Sequence, residues 1–156
     1  MSNFLKLIFS IVICQLPGII GALFTNKSVS GWYTTINKPE FNPPDSVFGP
    51  VWIILYLMMG LSLFLIWKEG LKNKEVKTAF TIFIIHLFIN ALWSIIFFGM
   101  QSIAGGFAVI ILLWILIIIC IVKFKKISVT AAYLLIPYLL WVTFASVLNF
   151  YILKLN

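Results

Sequence analysis

Charged residues make up only 10% of this 156-residue chain, and arginine is missing altogether. A soluble domain carries about 25% charged residues, so a water-facing globular surface is excluded. The four carboxylates, Glu40, Asp45, Glu69 and Glu75, all lie outside the long apolar runs. No paired acid is therefore left within a run for proton shuttling. One histidine and two cysteines supply no metal-ligand cluster, so no metal site is expected. A phosphate-cradling glycine loop and a nucleophile elbow are also missing. The pattern argues against an ordinary hydrolase or a P-loop transporter. The lack of a clear internal repeat argues against an inverted-repeat secondary transporter.

What is present is apolar. Hydrophobic residues make up 63% of the chain, and mean hydropathy is +1.14. No charge occurs between Leu7 and Asn26, Ser46 and Trp67, Thr78 and Val122, or Ile127 and Leu153. A membrane-spanning helix needs about 20 apolar residues. The third run is about twice that length, so it folds back once, in "GMQSIAGG" from Gly99 to Gly106. The expected fold is an all-α membrane protein, a five-transmembrane-helix bundle forming one membrane domain over 1–156. Its spans fall at about 5–25, 46–67, 79–99, 104–123 and 129–153. The alternating ten-residue segments of a membrane β-barrel are not found. The first apolar run is too long for a removed signal peptide and has no clean cleavage site. Cys14 and Cys120 fall inside spans and read as small core residues.

All eleven cations are lysines, giving a net charge of +7. Lys6, Lys68, Lys72, Lys74, Lys77, Lys123, Lys125 and Lys126 share one side of the five-span arrangement; Lys27, Lys38 and Lys154 take the other. By the positive-inside rule the N-terminus and the 68–77 loop are cytoplasmic. The basic balance thus reads as topology, with membrane lipid as the partner and no nucleic acid. Lysine-, isoleucine- and phenylalanine-rich usage without arginine suggests a microbial cell membrane.

Polar and small residues inside spans recur at helical spacing. His86, Asn90, Trp93 and Phe97 share one face of span three, and Tyr138, Trp141, Ala145, Leu148 and Asn149 one face of span five. Trp52, Tyr56 and Met59 do the same on span two. Cys14, Gly18, Gly21, Ala22 and Thr25 form a small-residue stripe on span one. Such a stripe lets helices pack closely and equally leaves room for a ligand. His86 reads as a buried hydrogen bonder or a ligand contact, and Asn90 and Asn149 as cross-helix bonders or ligand contacts. Trp32 and Trp67 suit interface anchors. Trp52, Trp93 and Trp141 suit the wall of a site for a flat, weakly polar ligand.

"WYTTINKPEFNPPDSVFGPVWIILYLMMG" (32–60), "HLFINALWSIIFFG" (86–99) and "IPYLLWVTFASVLNFY" (136–151) resemble the translocator protein family. These are the tryptophan-rich sensory proteins, or peripheral-type benzodiazepine receptors. The resemblance covers essentially the whole chain. It implies a five-helix bundle, commonly a homodimer. It implies binding of porphyrins and other flat hydrophobic ligands in a bundle pocket, with transport or sensing as the role. Light- and oxygen-dependent porphyrin degradation is the alternative, with Trp52 and Trp141 as the implicated indoles. No obligatory cofactor is implied; protoporphyrin or haem enters as ligand. By position, Trp52, Asn90, Trp93 and Trp141 fall on the pocket lining, Ala145 and Leu148 on its wall, and Gly18, Gly21 and Ala22 where span one faces the ligand. His86 stands where the family often has glutamine, and its protonation would make binding pH-sensitive. Leu148, Tyr151 and Lys154 match a sterol segment, a pattern frequent by chance.

Four of the six prolines lie in 37–56. Pro39, Pro43 and Pro44 hold the 26–45 segment extended as a lid-like loop. Asp45 or Ser46 is placed to cap the next helix. Pro50 either starts that helix or removes one of its early hydrogen bonds.

Overall fold

The computed structural model describes residues 2–156. Among these, every regular element is helical. Helix α1 spans Asn3–Val29, α2 Trp32–Thr35, α3 Asp45–Trp67, α4 Lys74–Ser94, α5 Ile103–Lys125, α6 Val129–Leu134 and α7 Ile136–Leu155. Five spans long and apolar enough to cross a bilayer result: α1, α3, α4 with its extension to Gly99, α5, and α6 with α7. The protein is an integral membrane protein on these lengths and compositions.

The spans run one or more residues beyond most expected limits. Helices continue past the hydrocarbon core, whereas charge-free runs mark only the core itself. At α1 the helix extends to Val29, through Asn26 and Lys27, and the loop is correspondingly shorter than 26–45. The third span ends in a π-helical turn over Ile95–Gly99, closed by Met100 N–H donating to the Ile95 carbonyl at 2.8 Å. The fold-back follows at Met100–Ser102, with Gln101 left-handed at φ 54°. The fifth span breaks at Leu135, and Pro137 opens α7 because it has no N–H to continue the ladder.

Each span packs mainly on two neighbours, closing a ring in the order α1, α3, α6/α7, α5, α4, with α3 also reaching α4 across it. Within it, α3 holds α6 and scarcely touches α7, so the bundle widens toward the 30–44 loop. Polarity is inverted relative to a soluble protein. Phe88, Phe4 and Leu140 face outward, while His86, Asn90, Ser62 and Asn149 are buried. Ser62 Oγ donates to the Ala131 carbonyl at 2.7 Å, pinning α3 to α6. Lys6 Nζ donates to the Trp67 carbonyl at 3.4 Å, placing both at the lysine-rich end.

The proline-rich segment does not end in a side-chain cap. Pro44, extended at φ −56° and ψ 141°, is the N-cap of α3, and Asp45 is already the first helical residue. The Pro43–Pro44 pair turns the chain into the helix one residue too early for Asp45 or Ser46 to cap it. Asp45 instead sits in the first turn, where a carboxylate meets the positive end of the helix dipole. Pro50 lies inside α3, so it removes a hydrogen bond and does not start the helix.

Candidate functional site

The widened half of the bundle encloses a cavity of about 830 Å³, lined by α1, α2, α3, α4 with its π turn, α5 and α7. That lies within the roughly 300–1,000 Å³ usual for small-molecule sites. Gly18, Gly21 and Ala22 form the α1 wall, and Trp52 with Tyr56 the α3 wall. Asn90 and Trp93 come from α4, and Trp141, Ala145 and Leu148 from α7. Four separately placed helical faces thus meet at one space, as the expected pocket requires.

The small residues of α1 are fitted to their neighbours. A Cβ on Gly18 would lie 2.6 Å from Tyr56 Cε2, and one on Gly21 2.9 Å from Ser94 Oγ. The indoles sit in aromatic surroundings. Trp52 stacks on Tyr56 with centroids 5.3 Å apart, and Trp93 stacks on Phe97 at 5.4 Å. Trp141 packs on Phe144 at 5.5 Å and edge-on to Phe48 at 5.9 Å. Trp93 Nε1 donates to Asn149 Oδ1 at 3.4 Å. Trp141 Nε1 is buried and has no protein acceptor. An indole N–H without a partner is costly, so a ligand acceptor there would be favoured.

Three expected residues fall elsewhere. His86 is not on the cavity wall; it lies behind it, with Nδ1 on the Phe83 carbonyl at 2.9 Å and Nε2 on Tyr138 Oη at 3.0 Å. The α4 face that carries it rotates away from the cavity one turn below Asn90. Its protonation can reach a ligand only through Tyr138 and Asn90. The sterol segment is split: Leu148 is buried on the cavity, whereas Tyr151 is exposed and packs edge-on against Phe41 at 5.3 Å, and Lys154 is exposed. Past Leu148 the i, i+3 row of this helix turns outward, so Tyr151 and Lys154 leave the cavity face that Ala145 and Leu148 share.

Sequence reading passed over Phe48, Ser94, Ile110, Leu113 and Ile152, all on the cavity lining. Only Ser94 carried a visible signal, being polar within a span and four residues after Asn90.

The 30–44 loop closes this end. Tyr33 and Thr34 line the cavity. Tyr33 Oη donates to Asn42 Oδ1 at 3.0 Å, and Lys38 Nζ donates to the Tyr33 carbonyl at 2.5 Å. Burial, reinforced by the negative charge of Asp45, pushes the Tyr33 phenol up to about 12, so it stays protonated and keeps donating at neutral pH. The loop is clipped to α7 through Asn37 and Asn156. Asn37 N–H donates to Asn156 Oδ1 at 3.0 Å, and Asn156 Nδ2 donates to the Asn37 carbonyl at 2.9 Å. Asn37 Nδ2 adds a bond to the Leu155 carbonyl at 3.2 Å. Asn156→Ala removes two of these bonds, each worth about 1 kcal/mol net. It is expected to speed release of a cavity ligand roughly three- to tenfold and to lower the thermal midpoint by no more than a few degrees, as stopped-flow release and thermal melts would read.

Residues 10–155 match the family model described as TspO/MBR family. The chain is 47% identical to the tryptophan-rich protein TspO of Chlorobaculum tepidum, over 97% of this chain and 96% of the relative. It is 44% identical to the tryptophan-rich protein TspO of Archaeoglobus fulgidus, over 99% of each. It is 33% identical to the translocator protein of Homo sapiens, over 88% of this chain and 82% of the relative.

Proposed function

This chain belongs to the TspO/MBR family of membrane proteins, and from that premise we propose that its cavity binds tetrapyrroles and other flat hydrophobic ligands. The observation that carries this is the convergence of Trp52, Trp93 and Trp141 on one cavity with few polar groups. Indole faces stack on a flat conjugated ring, while Asn90 and the unpartnered Trp141 N–H orient it. Protoporphyrin or haem is the ligand, no other cofactor is needed, and the protein transports or senses it.

The protein sits in a microbial cell membrane as a homodimer, N-terminus in the cytoplasm. The excess of lysine around Lys6, 68–77 and 123–126 supports that orientation. A protease-accessibility map placing 68–77 outside would reverse it. The dimer rests on the resemblance to the family and is read by cross-linking in the membrane.

Protoporphyrin is expected to quench the intrinsic fluorescence of the purified protein saturably, at a stoichiometry of one per chain. Trp141→Phe should weaken this about three- to tenfold, the worth of one N–H contact. Unquenched fluorescence at micromolar porphyrin would sink the reading. Because Trp52 and Trp141 share the cavity, porphyrin degradation under light and oxygen is the second reading. It predicts a new absorbing product that fails to form with Trp52→Phe or Trp141→Phe; an unchanged porphyrin spectrum under light removes it.

A further inference from the structure

Behind the cavity, four buried side chains form a continuous hydrogen-bonded chain whose direction is fixed from its far end. The Phe83 carbonyl can only accept, so His86 Nδ1, 2.9 Å away, carries a proton. His86 is buried, its ring nitrogens meet only the Phe83 carbonyl and Tyr138, and the carboxylates lie in the first turns of α3 and α4 (Asp45, Glu75) or in loops (Glu40, Glu69), so an imidazolium would have no counter-charge beside it. The ring is neutral and Nε2 accepts. Tyr138 O–H therefore donates to Nε2 across 3.0 Å. Its oxygen then accepts from Asn90 Nδ2 at 2.7 Å. This turns Asn90 Oδ1 toward Tyr56, whose O–H donates to it at 2.9 Å.

The chain ends at the cavity, since Asn90 and Tyr56 both line it. The Tyr56 proton is committed to Asn90, so Tyr56 Oη is left with lone pairs only. Asn90 Nδ2 keeps one N–H beyond the bond to Tyr138. We propose that His86, acting through Tyr138 and Asn90, makes this wall an acceptor beside a donor, and so selects flat ligands that carry an N–H next to a carbonyl on their rim. Lactams and pyrrolinone edges have that arrangement. His86 is a positioning residue here, since it touches no ligand. The inference deepens the cavity-binding reading above and rests on it.

Replacing His86 by phenylalanine removes the acceptor at the far end. Tyr138 O–H then turns to Asn90, the amide turns over, Nδ2 donates to Tyr56, and the Tyr56 proton is released toward the cavity. Glutamine at position 86 keeps a carbonyl acceptor for Tyr138 and so keeps the direction.

The test compares phenanthridin-6(5H)-one with 6H-benzo[c]chromen-6-one, which has the same shape with a ring oxygen in place of the N–H. Affinities are read by tryptophan quenching in detergent. The wild type should favour the lactam roughly three- to tenfold, the worth of one hydrogen bond. H86Q should keep that preference, Tyr56→Phe should reduce it to about one, and H86F should reduce or invert it. Equal affinities in the wild type, no saturable binding of either compound, or a preference unchanged in H86F would each overturn the proposal. If H86F fails to fold, Tyr138→Phe cuts the chain between His86 and Asn90 and should lower the preference in the same way; a preference unchanged there would overturn the proposal. Protoporphyrin quenching is measured alongside. Its loss with lactam preference intact removes the tetrapyrrole assignment and leaves the polarity of the wall standing.

Discussion

Gly60→Val is expected to lower the thermal midpoint in detergent by roughly 5–10 °C. Gly60 lies where α3 crosses α1 at the lysine-rich half of the bundle. A Cβ there would stand 2.8 Å from Ile11 Cα and 3.2 Å from Ile11 N. These are backbone atoms, so no rotamer change relieves the clash; the two helices must separate. Overpacking of this kind costs about 1–3 kcal/mol. In lipid no hydrophobic effect between helices offsets it, because association there depends on close packing. The separation would also spread Met59 and Leu63, both fully buried beside this crossing. Gly49→Ala is the matched comparison. Nothing lies within 4 Å of a Cβ at Gly49, and alanine in a helix interior is favoured by about 0.5–1 kcal/mol. It should leave the midpoint unchanged or raise it slightly. If both substitutions melt alike, close backbone contact at Gly60 is not what joins α1 to α3.

The five spans were legible because bilayer solvation writes itself as charge-free length, and the fold-back at 100–102 because a glycine and polar cluster interrupts that length. The cavity was legible in a narrower way. Helical periodicity sorted Asn90 with Trp93, Trp141 with Ala145 and Leu148, and Gly18 with Gly21, and these faces do meet. Periodicity fixes which residues share a face but not how far each face is turned. His86 lies on the Asn90 face by spacing, yet the bundle rotates it onto Tyr138 and away from the cavity. Tyr138 and Tyr56 were likewise placed on the right faces, while their bonds to one amide depend on three helices at once. The clip between Asn37 and Asn156 joins residues 119 apart, and neither shows a local pattern. The π turn at Ile95–Gly99 has no composition of its own to betray it, since the surrounding residues are ordinary span residues.

Gly18→Leu is expected to abolish protoporphyrin binding, with affinity falling at least a hundredfold, while the protein stays folded. Glycine at this place is required by Tyr56. A Cβ would meet Tyr56 Cε2 at 2.6 Å and Cδ2 at 3.0 Å. A ring edge often yields to such a contact, but this ring is held on two sides. Its hydroxyl is bonded to Asn90 at 2.9 Å, and its face is stacked on Trp52. Moving it displaces an indole of the cavity wall and breaks the hydrogen-bonded chain, at a cost of about 1–3 kcal/mol. Alanine should therefore weaken binding about tenfold by displacement alone. Leucine adds three further carbons on a wall that faces the cavity, so it occupies ligand space as well. Global stability should fall less than in Gly60→Val, because the cavity half of α1 has open space beside it and the lysine-rich half does not. Fluorescence titration with thermal melts on the same samples separates the two effects. Undiminished quenching in Gly18→Leu would mean that the ligand does not enter between α1 and Tyr56, and would move the binding site out of this cavity.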